Sequence, residues 1–580
     1  MMMRAGLFGI GVLLGCWAAT ILLVARLNPS YLADDAWLSI AGVQIFAPWM
    51  WVKWFYLYGN RFSAIFIKTM WPIQMSIFIG IALAWISRFL NKSKKPSIAH
   101  GSARWAREHD LIEAGLFAKH GVVLGQSPES QRLLLHDGPE HILAIAPTRG
   151  GKGVGLVIPT LLSWEESAII FDPKGENWQV TSGYRAQLGP CYCFEPTSFN
   201  TIRFNPLMEI RKGALEVKDA QNIADIIVDP DGRLETRNHW QNAAHSLLVG
   251  TILFVIYEWP RKSLAGVVEF LTRPQHTFEQ IIEQMASSSH TVVTSVAQEM
   301  INKHVEERSG VLSTAISLLA IFRDPLVAHA TDAHDFDVLS LKSTEAPASL
   351  YLVLPPSDIS RLRVLLRIML NQIGRVLTES HDRGAQSRRV LFLLDEFPAL
   401  GRLEFFESAL AYMAGYGLKA FLVCQSLNQL QKAYGERNSI LDNCHVRVAF
   451  ANNDDQTAKR LSALLGEETA MKEQFSWSGN RFEMFLRNTS MSHVEYARPL
   501  LLPSEINRLP SHQAIILLNG ALPILANKVK YFADKRFKPR VYAPIESGLK
   551  DLAPAKEIPC PEKHGKYQPT TIQQPIGGAL

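Results

Sequence analysis

The run His141–Ala146 (HILAIA) passes directly into Pro147–Gly153 (PTRGGKG) and then into Val154–Leu162 (VGLVIPTLL). A short apolar stretch, a glycine-rich turn and an apolar helix-like segment describe a strand–loop–helix unit. Such a unit is buried in a parallel sheet covered by helices. Gly150 and Gly151 let backbone N–H groups approach an anion, and the helix N-terminus adds partial positive charge. Lys152 places a full charge at the same point. The pattern departs twice from G-x-x-x-x-G-K-[ST]. Ala146 stands at the first glycine position, and Gly153 stands where a hydroxyl would reach Mg²⁺. Taken alone, Pro147, Thr148, Arg149, Gly150, Gly151, Lys152, Gly153 and Val154 read either as a phosphate-binding loop or as a surface turn with a solvated lysine.

A second segment decides between them. Val390–Leu394 (VLFLL) is wholly apolar and ends in Asp395–Glu396. A strand of this kind is buried on both faces of a parallel sheet. Its carboxylates therefore emerge at the C-terminal edge, where ligands of open α/β sheets bind. Asp395 is placed to hold Mg²⁺ through water, and Glu396 to orient or deprotonate an attacking water. The competing reading is a pair of solvated acids in a turn. Phe421–Cys424 ends in Gln425, a candidate sensor of a γ-phosphate, although a glutamine there is more often surface. Further strands are expected at Ser167–Phe171, Ser349–Leu354, Val446–Phe450 and Ile515–Leu518. The fold class is α/β: a RecA-like, mostly parallel sheet flanked by helices.

Lys152 and Asp395 are 243 residues apart, more than a bare core of this type needs. A domain must be inserted between them. Residues 208–336 are the candidate, with helix-like runs at Gln241–Tyr257 and Gly310–Phe322. Arg211, Lys212, Lys218, Arg233 and Arg237 recur there among interleaved acids, a pattern of a solvated face or of a DNA contact. The core is then 97–207 and 337–538, and the polar, proline-rich 539–580 reads as a disordered tail.

Leu7–Ala25 carries no charge over 19 residues, long enough to cross a bilayer. Met70–Ile86 is also uncharged, with Pro72 in its first turn and Trp71 and Trp85 near its ends. Residues 1–96 therefore read as a two-helix transmembrane anchor. Arg4 before the first span, and Arg88, Lys92, Lys94 and Lys95 after the second, predict a cytoplasmic N-terminus and body. The 44-residue link lies on the far side, with Asp34 and Asp35 near its start, though it also holds Arg26, Lys53, Arg61 and Lys68. A cleaved signal peptide would have a shorter apolar run and a small-residue site, and a buried core helix would show an amphipathic stripe, which neither segment has.

The remaining composition narrows little. Net charge +5 permits an anionic partner without requiring one. Cys16, Cys191, Cys193, Cys424, Cys444 and Cys560 form no C-x-x-C pair and no zinc ladder, as expected of thiols in a reducing compartment.

The motifs together resemble the TraG-type coupling proteins of type IV secretion and conjugation, members of the RecA-like ASCE ATPases. The resemblance is carried by Pro147–Trp164, FDPKGE (Phe171–Glu176), FNPL (Phe204–Leu207) and IVDPDG (Ile227–Gly232). It continues through LLDEFPALG (Leu393–Gly401), AGYGLK (Ala414–Lys419), CQSLNQL (Cys424–Leu430), NCHV (Asn443–Val446) and RPLLLPSEI (Arg498–Ile506). Members share GKG in place of GKS or GKT, so Gly153 follows the family, and Thr148 is one candidate for the missing hydroxyl. The resemblance implies an inner-membrane, hexameric ATPase using ATP and Mg²⁺. It would receive a relaxase–DNA complex and pass single-stranded plasmid DNA, and possibly proteins, to a secretion channel. It also implies an all-α insert at the ring entrance and an arginine acting on the neighbouring site. Lys419, Arg402 and Arg447 lie near the relevant strands. A chromosome-segregation translocase would share the loop and the acids but would add spans and a winged helix. A non-enzymatic docking receptor would bind nucleotide only for shape.

Overall fold

The computed structural model describes residues 2–27, 35–40, 43–90, 99–233, 236–342, 345–379, 388–478 and 488–546. The chain divides into two compact units, Met1–His100 and Gly101–Leu580. Asp34, Lys92, Lys94, Lys95, Cys560 and residues 547–580 of the expected tail lie outside the described residues.

In the first unit, helix Met2–Val24 packs on helix Trp71–Leu90. A Cβ on Gly15 would lie 2.3 Å from Ser76 Oγ and 3.0 Å from the Pro72 carbonyl, so only glycine permits this approach. By length and composition, Ser63–Ala82 is apolar enough to cross a membrane, while Ile10–Val24 forms a shorter apolar helical piece. The link between the apolar segments, expected as a small loop, is folded over its described residues. It contains a hairpin, Leu38–Ile40 with Val43–Ile45, and helices Met50–Tyr58 and Ser63–Thr69. Trp51, Trp54 and Phe66 form its core with Ala19 and Leu23. Asp35 accepts from Lys53 Nζ at 2.6 Å and from Trp54 Nε1 at 2.8 Å.

The second unit is built on an eleven-stranded sheet. Its strands are β1 Val122–Gln126, β2 Leu133–His136, β3 Ile142–Ile145, β4 Ser167–Asp172, β5 Cys191–Phe194 and β6 Ser349–Val353. They continue as β7 Val390–Leu394, β8 Leu418–Cys424, β9 Val446–Ala449, β10 Gln513–Leu518 and β11 Ile524–Asn527. The order is β2-β1-β11-β10-β9-β3-β8-β7-β4-β6-β5. From β9 to β5 neighbouring strands are parallel; from β9 outward to β2 they are antiparallel. Every strand expected from an apolar run is present. Those not foreseen are β1, β2, β5, β11 and a long hairpin, Glu467–Ser478 with Asn488–Pro499. They are short, or mix polar residues along their length, so no sustained apolar run marks them.

Period-two side-chain geometry makes the parallel strands divide two cores. Val390, Phe392 and Leu394 point to one face with Leu143, Ile145, Ile169 and Phe171. Leu391 and Leu393 point to the other with Ile142, Ala144, Leu156 and Leu161. The first face is covered by Ile359–Glu379 and by the inserted helices; the second carries the glycine-loop helix. Residues 208–336 hold helices from Glu216–Val228 to Pro325–Asp332 and no strand among the described residues. The central helix, His239–Glu258, is buried without a break from Leu247 to Ile256. It starts at Asn238, whose side chain accepts from Gln241 N while Gln241 Oε1 accepts from Asn238 N. Arg203 and Asp335 clamp the two ends of the insertion, with Arg203 Nε and Nη2 each 2.8 Å from the carboxylate. Of the basic residues noted there, Arg211 pairs with Asp219 and Glu379, Lys218 with Glu379, and Arg237 with Asp225. These charges are neutralised within the chain.

Candidate nucleotide site

Four neighbouring parallel strands, in the order β3-β8-β7-β4, deliver their C-terminal ends to one edge. The glycine loop follows β3, Gln425 follows β8, Asp395–Glu396 follow β7, and Asp172 closes β4. Register brings them level. Ala146 N donates to Cys424 O at 2.9 Å, and Asp395 N to Phe171 O at 3.3 Å. Topology thus gathers residues that are far apart in sequence.

Lys152 reaches across the edge to the acids. Its Nζ lies 2.8 Å from Asp395 Oδ1 and 2.8 Å from Glu396 Oε2. Glu396 Oε1 accepts from Gln425 Nε2 at 2.8 Å and from Gln429 Nε2 at 2.5 Å. Asn452 Nδ2 in turn holds the Gln425 carbonyl at 2.9 Å. Glu396 adopts φ +64°, a left-handed conformation that costs a non-glycine residue energy and is found where a site over-determines the backbone. Arg149, with φ +61°, repeats this in the glycine loop, beside Gly151 at φ +85°.

Burial acts to raise both Asp395 and Glu396, but the two respond differently. For Asp395 burial dominates, so its pKa is raised despite Lys152. For Glu396 the Lys152 charge and the two glutamine amides outweigh burial and hold the carboxylate below its usual range. Burial opposes the charge on Lys152, yet the two acids raise its pKa overall. Asp172 is pushed up to about 6, chiefly by burial, with the Asp395 charge adding to it. Within the cluster the surroundings of Glu396 favour the carboxylate, whereas burial disfavours ionisation of Asp395 and Asp172.

The sequence-derived residues Lys152, Asp395, Glu396 and Gln425 are brought into direct or one-step contact. Pro147 to Val154 form the loop and the start of its helix, with Thr148 and Arg149 at the exposed rim. That helix opens with a π turn, Gly153–Val157, and continues as Ile158–Leu161. The widened turn precedes Pro159, which has no N–H to donate to a regular ladder. Lys419 lies at the opposite end of β8 from Gln425, and its buried Nζ donates to the His136 and Gly138 carbonyls at 3.0 and 2.7 Å, so it is not a solvated surface charge. Arg447 donates to the Leu441 carbonyl, and Arg402 pairs with Glu407.

Asp172 and Gln429 were not singled out from sequence. Asp172 obeys the rule that found Asp395, an acid directly after an apolar strand, so a signal existed. It also accepts from Trp178 N at 2.8 Å, fixing the start of helix Glu176–Leu188. Gln429 had no such mark, because its place depends on how helix Leu427–Tyr434 leaves β8. Asp395 Oδ1 is buried, and the Lys152 ammonium is its only partner among the described residues. With Glu396 and Asp172 nearby, the donors are all carboxylate oxygens, which suits a hard divalent cation such as Mg²⁺.

Comparison with known proteins bears on this arrangement. The family described as type IV secretory system conjugative DNA transfer matches residues 101–548. The chain is 38% identical to a conjugal transfer protein TraG of Escherichia coli, covering 86% of this chain and 87% of that protein. It is 30% identical to a protein VirD4 of Rhizobium radiobacter, covering 83% and 70%. Among solved structures, the bacterial conjugative coupling protein TrwBdeltaN70 with sulphate matches at TM-score 0.57 and 18% identity, over 75% of this chain and 96% of that one. TrwB in complex with ADP and Mg²⁺ matches at TM-score 0.56 and 18% identity, over 76% and 96%. The latter two show a shared fold.

Proposed function

The chain belongs to the type IV secretory system conjugative DNA transfer family, and from that premise we propose that it is the inner-membrane coupling ATPase of a conjugative system. In this reading it recruits a relaxase–DNA complex and uses ATP hydrolysis to move single-stranded DNA, and possibly proteins, into the secretion channel. The observation that carries the enzymatic part is Lys152, held between Asp395 and Glu396 at 2.8 Å from each. An ammonium parked on two acids is a stored counter-charge, released when a phosphate chain enters the loop.

Each residue then has a distinct task. Loop N–H groups from Gly150 to Val154 cradle the phosphates, and Lys152 turns to the β/γ oxygens. Glu396, freed from Lys152 but still oriented by Gln425 and Gln429, accepts the proton of the attacking water. Gln425 senses the γ-phosphate through the same carboxylate. Asp395 and Asp172 are the groups that would hold Mg²⁺, and Thr148 is the one hydroxyl of the loop Pro147–Gly153. The bound cation would neutralise charge developing on the phosphoryl oxygens. A related TrwB structure holds ADP and Mg²⁺, which supports the same cofactors here.

The proposal includes two spans, at 7–25 and 70–86, with the N-terminus and body in the cytoplasm. The close helix approach at Gly15 supports two paired spans. A homohexamer is the expected assembly. The insert 208–336, closed by Arg203–Asp335, is assigned to cargo recognition, and the core to 97–207 and 337–538.

ATP hydrolysis by the full chain in detergent, with and without single-stranded DNA, tests the reading. DNA should stimulate turnover, and Lys152→Ala should abolish it. Hydrolysis unaffected by Lys152→Ala would overturn the site. Nucleotide binding with no turnover under any condition would favour the docking receptor.

A further inference from the structure

A second lysine meets the glycine loop from the far end of the chain. Lys528 follows β11, and its Nζ donates to the Gly150 carbonyl at 3.1 Å across 378 residues of sequence. The same ammonium sits 3.6 Å from the centroid of the Phe450 ring, at the end of β9. Both anchors are fixed. Phe450 N donates to Ile145 O at 3.0 Å, next to the loop, and Lys528 N to His512 O at 2.7 Å. A Cβ on Gly150 would lie 2.8 Å from the Pro147 carbonyl and 3.5 Å from Phe450. A Cβ on Gly155 would lie 3.2 Å from the Val529 carbonyl. At Gly155 the helix after the loop thus comes close to the backbone that follows β11. Farther along, Val529 and Phe537 are buried with Ile158 and Leu162, and Arg540 Nη1 donates to the Leu162 carbonyl at 2.6 Å. Residues 528–540 thus lie along the loop and its helix from Gly150 to Leu162.

We propose that Lys528 is a positioning residue for nucleotide phosphate: by holding the Gly150 carbonyl it sets the Gly150–Gly151 peptide so that the Gly151 N–H faces the phosphate. The inference rests on the ATPase reading above. Its physical basis is peptide planarity: the carbonyl of Gly150 and the N–H of Gly151 share one plane and point in opposite directions. Gly151, at φ +85°, occupies a region that glycine enters freely, so local backbone preference does not fix this peptide, while Arg149, at φ +61°, is strained one residue before it. Lys152 cannot fix it, being engaged by Asp395 and Glu396. Burial pushes the Lys528 ammonium down to about 8, so it remains charged at neutral pH. Its partners are a carbonyl and an aromatic face, and its charge adds to the positive field at the loop.

The test is steady-state ATP hydrolysis and equilibrium binding of a fluorescent ATP analogue, on the full chain in detergent. Lys528→Ala should raise KM and Kd together by about tenfold, the loss of one charge-assisted hydrogen bond, with kcat within about twofold. Lys528→Arg should restore both. Lys528→Met, which keeps the stem over Phe450, should match the alanine variant in KM while melting like wild type without nucleotide. Unchanged KM and Kd in Lys528→Ala would overturn the proposal. So would lost kcat at constant KM, or a Lys528→Met chain whose nucleotide-free melting falls along with its binding. Wild-type chain that binds and hydrolyses ATP alongside an unaffected Lys528→Ala leaves the ATPase reading standing. Wild-type chain that does neither overturns both.

Discussion

Lys152 Nζ and Glu396 Oε2 are 2.8 Å apart although 244 residues separate them in sequence. The contact joins the loop after β3 to the turn after β7, across the intervening β8. In the proposed reading the two residues are mutually dependent: phosphate filling the loop would remove a cation from the glutamate. The proposed base is thus released by the same event that brings substrate.

Glu396→Gln should therefore separate binding from chemistry. The amide keeps the shape and can still meet Gln425 and Gln429, but it cannot take a proton. Turnover should fall on the order of 10² to 10⁴-fold while nucleotide retention stays close to wild type. Single-turnover hydrolysis beside filter-binding measurements checks this, and wild-type kcat in the variant would reject Glu396 as base.

Asp172 offers a stability prediction with two arms. Its carboxyl is buried, raised to about 6, and accepts from Trp178 N. Asn keeps an acceptor of the same shape, so Asp172→Asn should melt near wild type. Asp172→Ala leaves a buried N–H without a partner and should cost about 1–3 kcal/mol. Calorimetry without nucleotide decides it; equal melting of both variants would deny the capping role.

Lys419 links stability to pH. Burial, with the Arg389 charge adding, lowers it from 10.5 to about 7, while Asp137 and Glu140 act in the opposite sense. His136, its imidazole partner, is lowered to about 4, first by burial and then by Lys419. Across the window from about 7 to 10.5 the unfolded chain binds the proton that the folded chain has released. Stability from this group is therefore complete above 10.5 and is lost as pH falls towards 7. The melting temperature of wild type should gain on that of Lys419→Met as pH rises from neutral into this window. Parallel curves for the two proteins would contradict it.

The anchor predicts a simple fractionation. Deleting residues 1–96 should release the protein from washed membranes and weaken its assembly in solution, read by sedimentation. Retention of the truncated chain in the membrane pellet would locate the attachment elsewhere.

Most of the parallel strands were legible because they are largely apolar runs between turn signals, as burial on both faces favours, although β5 is too short to be marked and β8 and β9 carry Lys419 and Arg447. The glycine loop, Lys152 and the Asp395–Glu396 pair follow from the same local logic, since the end of a buried strand dictates where its next residues emerge. That much the sequence determined by itself. Strand order, register and the packing of helices were decided only in three dimensions, because they depend on which faces meet. They placed Asp172 beside Asp395, brought Gln429 onto Glu396 and laid Lys528 on Gly150. They also buried Lys419 at the far end of β8, and paired Arg211, Lys218 and Arg237 of the insert with acids, where the sequence left a solvated face or a DNA contact open. A charge in a sequence carries no address for its partner, whereas an apolar run carries its burial within itself.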